Sequence, residues 1–371
     1  MKIFFVIKGM DTAKGGAERV LAQISSGISE RGHDVTLVTC DAEGGESYYP
    51  LNADINRVCL NIPDDPANNK IQRMKERIRP LRHIFKTEKP DLVIAFMHSM
   101  FIPASFAAFG TGIPVIASEH IVPAHYIKRP AQYMMLLVSS FLVKRITVVS
   151  KAVLQSYPFF MRHKMLVVAN PVAEATANSK KPNSKQKIIL NIGRLDEQKD
   201  QKTLIRAFAY LADRHPDWVV KIFGEGPLDE YLQKLIGQLG MEGRVRLMGT
   251  TKDVGSEYAK ADIFAMPSKY ESFGLATAEA MSYGVPAIGF KECPGTNELI
   301  EHDFNGLLIS KTDQDRVEVF AQGLEKLITD EALRERLASE TKASVDRFKL
   351  GSILAVWDSL IQSTGETSQK A

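Results

Sequence analysis

The stretch Glu271-Ser-Phe-Gly-Leu-Ala-Thr-Ala-Glu279 places two carboxylates on either side of a glycine, with seven residues between them. The run before it, Ala261-Asp-Ile-Phe-Ala-Met-Pro-Ser268, reads as a short buried strand ending in a turn, and Leu275 to Ser282 reads as a helix. The glutamates therefore flank a strand-to-helix junction, the building block of an α/β sheet. The first turn of such a helix leaves N–H groups unpaired and carries the positive end of the peptide dipoles, so it favours an anion. Gly274 lets a ligand approach the backbone, Phe273 and Leu275 offer N–H groups beside it, and Ser272 fits the N-cap. An ionised Glu279 suits a bidentate grip on vicinal hydroxyls such as those of a ribose, while Glu271 faces whatever follows the phosphates. Taken alone, the pattern also fits two unrelated glutamates, one solvated and one helical.

A second constellation corroborates the ligand reading, although taken alone it fits a loop with two solvated cations better. Lys187-Ile-Ile-Leu-Asn-Ile-Gly-Arg-Leu-Asp-Glu-Gln-Lys199 is an apolar strand running into Gly193, Arg194 and Lys199, followed by a helical pattern with Leu204, Ala207, Phe208 and Leu211 on one face. In open parallel sheets ligands bind at the carboxyl ends of strands. Arg is suited to bidentate phosphate contacts and Lys to a point-charge contact, so the two could neutralise a diphosphate without a metal.

Strand-like runs recur along the chain: Ile3–Ile7, Val35–Thr39, Leu92–Phe96, Val115–Ser118, Arg145–Val149 and Met165–Ala169, then Ile188–Ile192, Trp218–Phe223, Val245–Met248, Ile263–Met266 and Ala287–Phe290. Their alternation with helical patterns predicts parallel sheets covered on both faces, and 371 residues accommodate about two domains. The expected division is an N-terminal domain over 1–172, a polar linker over 173–187, a C-terminal domain over 188–349, a last helix over 350–363 and a flexible tail over 364–371. No stretch is apolar for long enough to span a bilayer, and Met-Lys-Ile-Phe-Phe-Val-Ile reads as a first strand without a signal-peptide cleavage site. Three cysteines, Cys40, Cys59 and Cys293, form no C-x-x-C pair and suit a reducing cytoplasm. There is neither a G-x-G-x-x-G after the first strand nor a G-K-[ST] phosphate loop, which argues against a dinucleotide oxidoreductase and an NTPase. Asp313-Gln-Asp315 has a metal-binding look, but it sits at an apparent helix start where acidic residues complement the dipole, so no metal is expected.

Seven pieces in order, Gly15-Gly-Ala-Glu18, Ser118-Glu-His120, Asn170-Pro-Val172, Gly193-Arg194 with Lys199, Gly224-Glu-Gly226, Glu271 to Glu279, and Asn305-Gly-Leu-Leu308, span nearly the whole chain. Together they resemble the retaining nucleotide-sugar glycosyltransferases of the GT-B fold, family four. The resemblance implies two doubly wound Rossmann-like domains facing across a cleft, with the second holding the donor and the last helix returning to the first. It implies transfer of a hexosyl group from a UDP-sugar to a glycan hydroxyl, with Glu271, His120, Arg194 and Lys199 as the catalytic set. Gly15, Gly16, Gly193, Gly224, Val254, Phe273, Gly274, Leu275 and Glu279 would complete the donor site; the paired glycines fit a plain turn equally well. His98, just past Phe96, is the nearest competitor to His120 among the histidines.

The basic charge concentrates in the first half, with 21 Lys and Arg against 14 Asp and Glu through Val172, while the remainder has 26 against 30. It peaks in Lys70 to Lys86, where Ile71, Met74, Ile78, Leu81 and Phe85 lie at helical spacing and Pro80 is a potential kink. Such a helix fits an anionic bilayer surface, with the Tyr133–Val138 cluster adding apolar contact, and fits equally a core-packed helix with a solvated cationic face. Arg19, Arg73 and Arg77 are the candidate acceptor or membrane contacts. Relatives extend polyprenyl-diphosphate-linked glycans, which points to a lipid-linked acceptor and to the cytoplasmic face of the membrane. A sugar-nucleotide epimerase on the same scaffold and a non-catalytic partner subunit remain as alternatives. Nucleic-acid binding lacks the aromatic interleaving such surfaces carry.

Overall fold

The structure is a computed structural model that describes residues 1–11, 15–62, 70–127, 129–175, 186–310 and 315–369, with the side chains of 70, 71 and 366–369 left aside. Lys14, most of the expected linker and Asp313 lie outside the described residues. The chain divides into two compact units, Met1–Pro171 with Leu350–Ala371, and Val172–Lys349.

In the first unit, β1 (Lys2–Val6), α1 (Gly16–Glu30), β2 (Asp34–Thr39), β3 (Asn56–Cys59), α2 (Lys70–Glu88), β4 (Leu92–Phe96), α3 (His98–Ala108), β5 (Val115–Glu119), α4 (Pro130–Leu142), β6 (Arg145–Val148), α5 (Lys151–Ser156), α6 (Phe159–Arg162) and β7 (Met165–Val167) follow one another. Every strand pair is parallel, in the order β3-β2-β1-β4-β5-β6-β7. The central strands are continuous apolar runs because helices cover both faces; β4 is buried at every position. Strand order reverses between β1 and β4, which opens a crevice at their carboxyl ends.

The second unit repeats the plan: β8 (Lys187–Ile192), α7 (Gln201–Ala209), β9 (Trp218–Phe223), α8 (Asp229–Gln238), β10 (Val245–Leu247), α9 (Val254–Lys260), β11 (Ile263–Met266), α10 (Leu275–Ser282), β12 (Ala287–Phe290), α11 (Thr296–Leu299), β13 (Gly306–Ile309), α12 (Arg316–Thr329) and α13 (Glu331–Val345). Its parallel sheet runs β10-β9-β8-β11-β12-β13, with the reversal between β8 and β11. Leu204, Phe208, Ile222, Phe290, Phe320 and Leu324 belong to the core on this sheet.

The last helix, α14 (Leu350–Gln369), belongs to the first unit. Gly27 of α1 admits it: a Cβ there would stand 2.4 Å from a methyl of Leu354. Trp357 is fully buried, its ring 6.2 Å from that of Phe96. The expected tail from 364 is corrected, since the helix runs to Gln369 and Thr364 is buried with its hydroxyl on the Leu360 carbonyl.

The basic helix fits the reading of a core-packed helix with a solvated cationic face. Leu81 and Phe85 of α2 are fully buried, and the helix continues through Pro80. Arg77 donates to the Ser99 carbonyl at 3.1 Å, and Arg82 donates to the Ala107 and Phe109 carbonyls at 2.9 and 2.7 Å. Arg77 is therefore spent on α3, and Arg73 is half-buried; α2 is packed into the unit, with Lys75, Arg79 and Lys86 on its exposed face.

Candidate active site

The second unit's switch point gathers the residues singled out on β8 and β11. The loop leaving β8 turns on Asp196, whose Oδ1 accepts the N–H groups of Gln198 and Lys199, both at 3.0 Å. The Gln198 side-chain amide reaches the Tyr270 carbonyl at 3.0 Å, and the Lys269 N–H reaches the Gln198 carbonyl at 2.8 Å. Two loops from neighbouring strands are thus stitched into one rim. Beneath them, Arg316 links Asp200 (2.9 Å) to the Ser268 carbonyl (3.0 Å), with its guanidinium 3.6 Å from the Phe290 ring centroid.

On this rim, Lys199 Nζ and Ser268 Oγ both donate to Glu271 Oε1, each at 2.7 Å. Glu271 and Ser268 are buried. The lysine expected to face phosphate alone is therefore also the partner of the carboxylate expected to face sugar. Arg194 differs: its side chain is 71% exposed and only 3.9 Å from Asp196, so it stands at the edge of the site.

Gly274 has φ 86°, a left-handed conformation that glycine adopts readily, and it is itself the N-cap of α10. The expected cap Ser272 is corrected: among the described residues no side chain caps this helix. The first-turn N–H groups of Leu275, Ala276 and Thr277 thus have no side-chain cap, which is the arrangement that holds anions. Phe273 is buried with its ring edge-on to Phe348. Further along α10, Glu279 is buried and accepts from the Tyr258 hydroxyl at 3.0 Å. Tyr258 lies on α9, whose first residue is Val254 and whose N-cap, Asp253, accepts from the Ser256 N–H. Gly193 packs against the Lys199 stem, and Gly224, at φ 141°, lies so close to the Gly193 carbonyl that a Cβ would stand 2.0 Å from it. Asp315 caps α12 through the Val317 N–H. Among the described residues, no three His, Cys, Asp or Glu side chains form a group that could hold a metal ion.

In the first unit, Gly15 caps α1, Gly16 is its first residue, and the Arg19 N–H closes onto the Gly15 carbonyl. The Glu18 carboxylate folds over Gly15, and burial raises its pKa. His120 follows β5, half-buried, with its ring stacked on Phe96 at 5.1 Å and Nε2 3.0 Å from Ser118 Oγ. Burial pushes its pKa down to about 4, so the imidazole is neutral at physiological pH.

Sequence reasoning passed over its neighbour. Glu119 is fully buried, accepts from the Ile121 N–H (3.0 Å) and the Tyr126 hydroxyl (2.9 Å), and is pushed up to about 7 by burial, with those hydrogen bonds opposing. Its place at the end of a strand of small apolar residues was the available signal. Ser268 could have been found the same way; Asp196, Arg316 and Tyr258 reach the site only through tertiary packing.

Residues 14–175 match the family described as Glycosyltransferase Family 4, and residues 172–344 match Glycosyl transferases group 1. An uncharacterized glycosyltransferase of Haemophilus influenzae is 26% identical over 97% of this chain and 99% of the relative. The GalNAc-alpha-(1->4)-GalNAc-alpha-(1->3)-diNAcBac-PP-undecaprenol alpha-1,4-N-acetyl-D-galactosaminyltransferase of Campylobacter jejuni is 27% identical over 97% and 98%. Among solved structures, Anabaena HepE in complex with UDP and glucose has a TM-score of 0.76 at 20% identity, covering 98% of this chain and all of that one. With two Rossmann-like parallel sheets and both halves matched in order, the chain belongs to the family 4 glycosyltransferases of the GT-B fold.

Proposed function

We propose that the enzyme transfers a hexose or N-acetylhexosamine from a UDP-sugar to a hydroxyl of a lipid-linked glycan, with retention of configuration and without a metal. The observation that carries this reading is the meeting of Glu271, Lys199 and Ser268 beside the uncapped N-terminus of α10, at the switch point of the second sheet. Breaking the glycosidic bond places new charge on the diphosphate. Lys199, Arg194 and the α10 amides meet that charge from fixed positions, the kind of preorganised electrostatics that dominates catalysis. Lys199 then also orients Glu271, which holds the hydroxyls of the transferred sugar, while Glu279, positioned by Tyr258, holds the ribose.

The Campylobacter relative's undecaprenol-linked acceptor and the UDP in Anabaena HepE support the two substrates proposed here. The test is a binding and hydrolysis screen of UDP-Glc, UDP-Gal, UDP-GlcNAc, UDP-GalNAc and GDP-Man with and without EDTA. One UDP-sugar should bind best and turn over slowly in EDTA; release of an epimer without acceptor, or an absolute need for Mg²⁺, would overturn the reading.

A lipid-linked acceptor calls for membrane contact, and α4 with α6 suit it better than α2. Met134, Val138 and Phe141 are exposed along one face of α4, and the Phe141 ring stacks on exposed Phe160 at 5.7 Å, next to exposed Phe159. From His120 to Ala173 the sequence holds seven Lys and Arg and no Asp or Glu. Among the described residues no helix is long and apolar enough to cross a membrane, so the contact would be peripheral. Vesicles containing anionic lipid should co-sediment the wild type and lose the Phe141→Glu/Phe159→Glu variant; equal binding by both would remove this surface.

A further inference from the structure

The carboxyl ends of β4 and β5 carry a second group of side chains that the donor site does not use. Met97, directly after β4, has φ 64° and ψ 145°, a backbone conformation unusual for a residue with a side chain. It leads into α3, an 11-residue helix whose N-terminus no side chain caps.

The first residue of that helix, His98, is 8% exposed, and among the described residues its Nδ1 has no hydrogen-bond partner. The His125 ring lies 5.9 Å from it and Tyr126 lies edge-on at 5.3 Å. Arg129 reaches His125 Nε2, and Arg77 reaches the carbonyl of Ser99, the next residue of α3. The nearby carboxylate, Glu119, is already shared between Tyr126 and the Ile121 N–H.

The Arg129 guanidinium, two imidazoles and a helix N-terminus therefore gather at this buried nitrogen, with Arg77 held nearby on the Ser99 carbonyl. Burial lowers the pKa of His98 to about 4, with His125, Arg129 and Arg77 pushing the same way, and burial and Arg129 lower that of His125. An anion at this place would reverse these effects: it would accept from His98 and Arg129 and neutralise the field that keeps the imidazoles uncharged.

We propose that His98, His125, Arg129 and the N-terminus of α3 form a subsite for a phosphoryl anion, the diphosphate at the linked end of the acceptor. That the anion belongs to the acceptor rests on the transferase reading above; the existence of the subsite does not. Bound there, the diphosphate would fix the register of the acceptor, so that length and linkage determine which hydroxyl is presented.

The test follows the histidine C2–H resonances of the full-length protein by NMR, with no donor present. Inorganic pyrophosphate and a short-chain prenyl diphosphate are titrated into the wild type, His98→Gln and Arg129→Gln. Both anions should shift His98 and His125, raise the pKa of His98 by a unit or more, and bind about tenfold more weakly to the site in either variant. Because Arg129 is exposed, its variant should keep the fold and carry the test if His98→Gln does not. Unmoved His98 and His125 resonances at saturation, or unchanged affinity at this site in Arg129→Gln, would overturn the subsite. Binding of pyrophosphate without binding of the prenyl diphosphate would overturn its assignment to a lipid-linked acceptor. Failure of the transferase reading would show separately, as absent nucleotide-sugar binding with the His98 titration intact.

Discussion

Lys199 and Glu271, 72 positions apart in sequence, share a 2.7 Å ion pair that ties the loop after β8 to the loop after β11. The lysine belongs to one loop of the proposed donor site and the glutamate to the other, so removing either partner changes both. Glu271→Gln keeps an acceptor for Ser268 but removes the charge that holds the sugar hydroxyls, and should lower kcat/KM by about 10- to 100-fold, the usual worth of a hydrogen bond to a charged group. Lys199→Ala leaves a buried carboxylate without its countercharge, a loss of about 3–5 kcal/mol, and should show a lowered melting temperature as well as lost turnover. A Lys199→Ala protein with wild-type melting and turnover would remove the pair from both roles.

Glu279 and Tyr258 should act on nucleotide affinity rather than on the chemical step. Tyr258→Phe deletes a 3.0 Å hydrogen bond that orients the carboxylate. With about 1 kcal/mol at stake, the Kd for UDP should rise about fivefold while kcat at saturating donor stays near wild type. Calorimetry with UDP and saturation kinetics separate the two; a kcat loss without a Kd change would contradict the assignment.

The first unit should show opposing pH responses. The pKa of Glu119 is raised to about 7, so its neutral form is favoured by folding; the resulting stability is full below the unfolded pKa near 4.5 and is lost as pH rises through 7. His120 and His98 are lowered to about 4, so their contribution is present above 6.5 and is lost as pH falls towards 4. Glu119→Gln should therefore stabilise the protein at pH 8, by about 3 kcal/mol at most, and leave it unchanged near pH 4. His120→Asn should flatten the acid limb between pH 6.5 and 4. Denaturant melts of each variant across pH 4–8 test both signs.

The stack of Trp357, Phe96 and His120 links the last helix to the end of β5. Trp357→Ala should cost about 3–5 kcal/mol, as large buried aromatics do, and should raise the pKa of His120 by letting water reach the stack. Gly27→Val, whose side chain would meet Leu354, should loosen the same helix without touching the stack directly. An unchanged His120 titration in Trp357→Ala would show that the ring is buried by other means.

The sheets were legible because a strand buried on both faces is mostly apolar: β4 and β11 are apolar throughout, and β5 and β9 depart from that only at Ser118, Glu119 and Lys221. β3 (Asn-Arg-Val-Cys) was not legible, since an edge strand is only partly buried. In the site, Glu271, Glu279 and Gly274 could be read because their spacing is local to one strand-helix junction. The Lys199 pair, the Arg316 link and the His98 group could not, because each joins residues that only the sheet order brings together. The basic helix left two readings open for a related reason: Arg77 and Arg82 look like surface cations until the carbonyls of α3 are found beneath them.

The discontinuity of the first unit bears on how the chain is made. Residues 172–349 leave the ribosome as one uninterrupted segment and can close their own core at once. The first 171 residues have emerged earlier, yet Phe96 and the α1 face around Gly27 stay uncovered until α14 is synthesised. During that interval the nascent protein carries a finished second unit, with the proposed nucleotide site, and an unfinished first one. A chain stopped at Lys349 should accordingly still bind UDP but aggregate or recruit chaperones through its first unit.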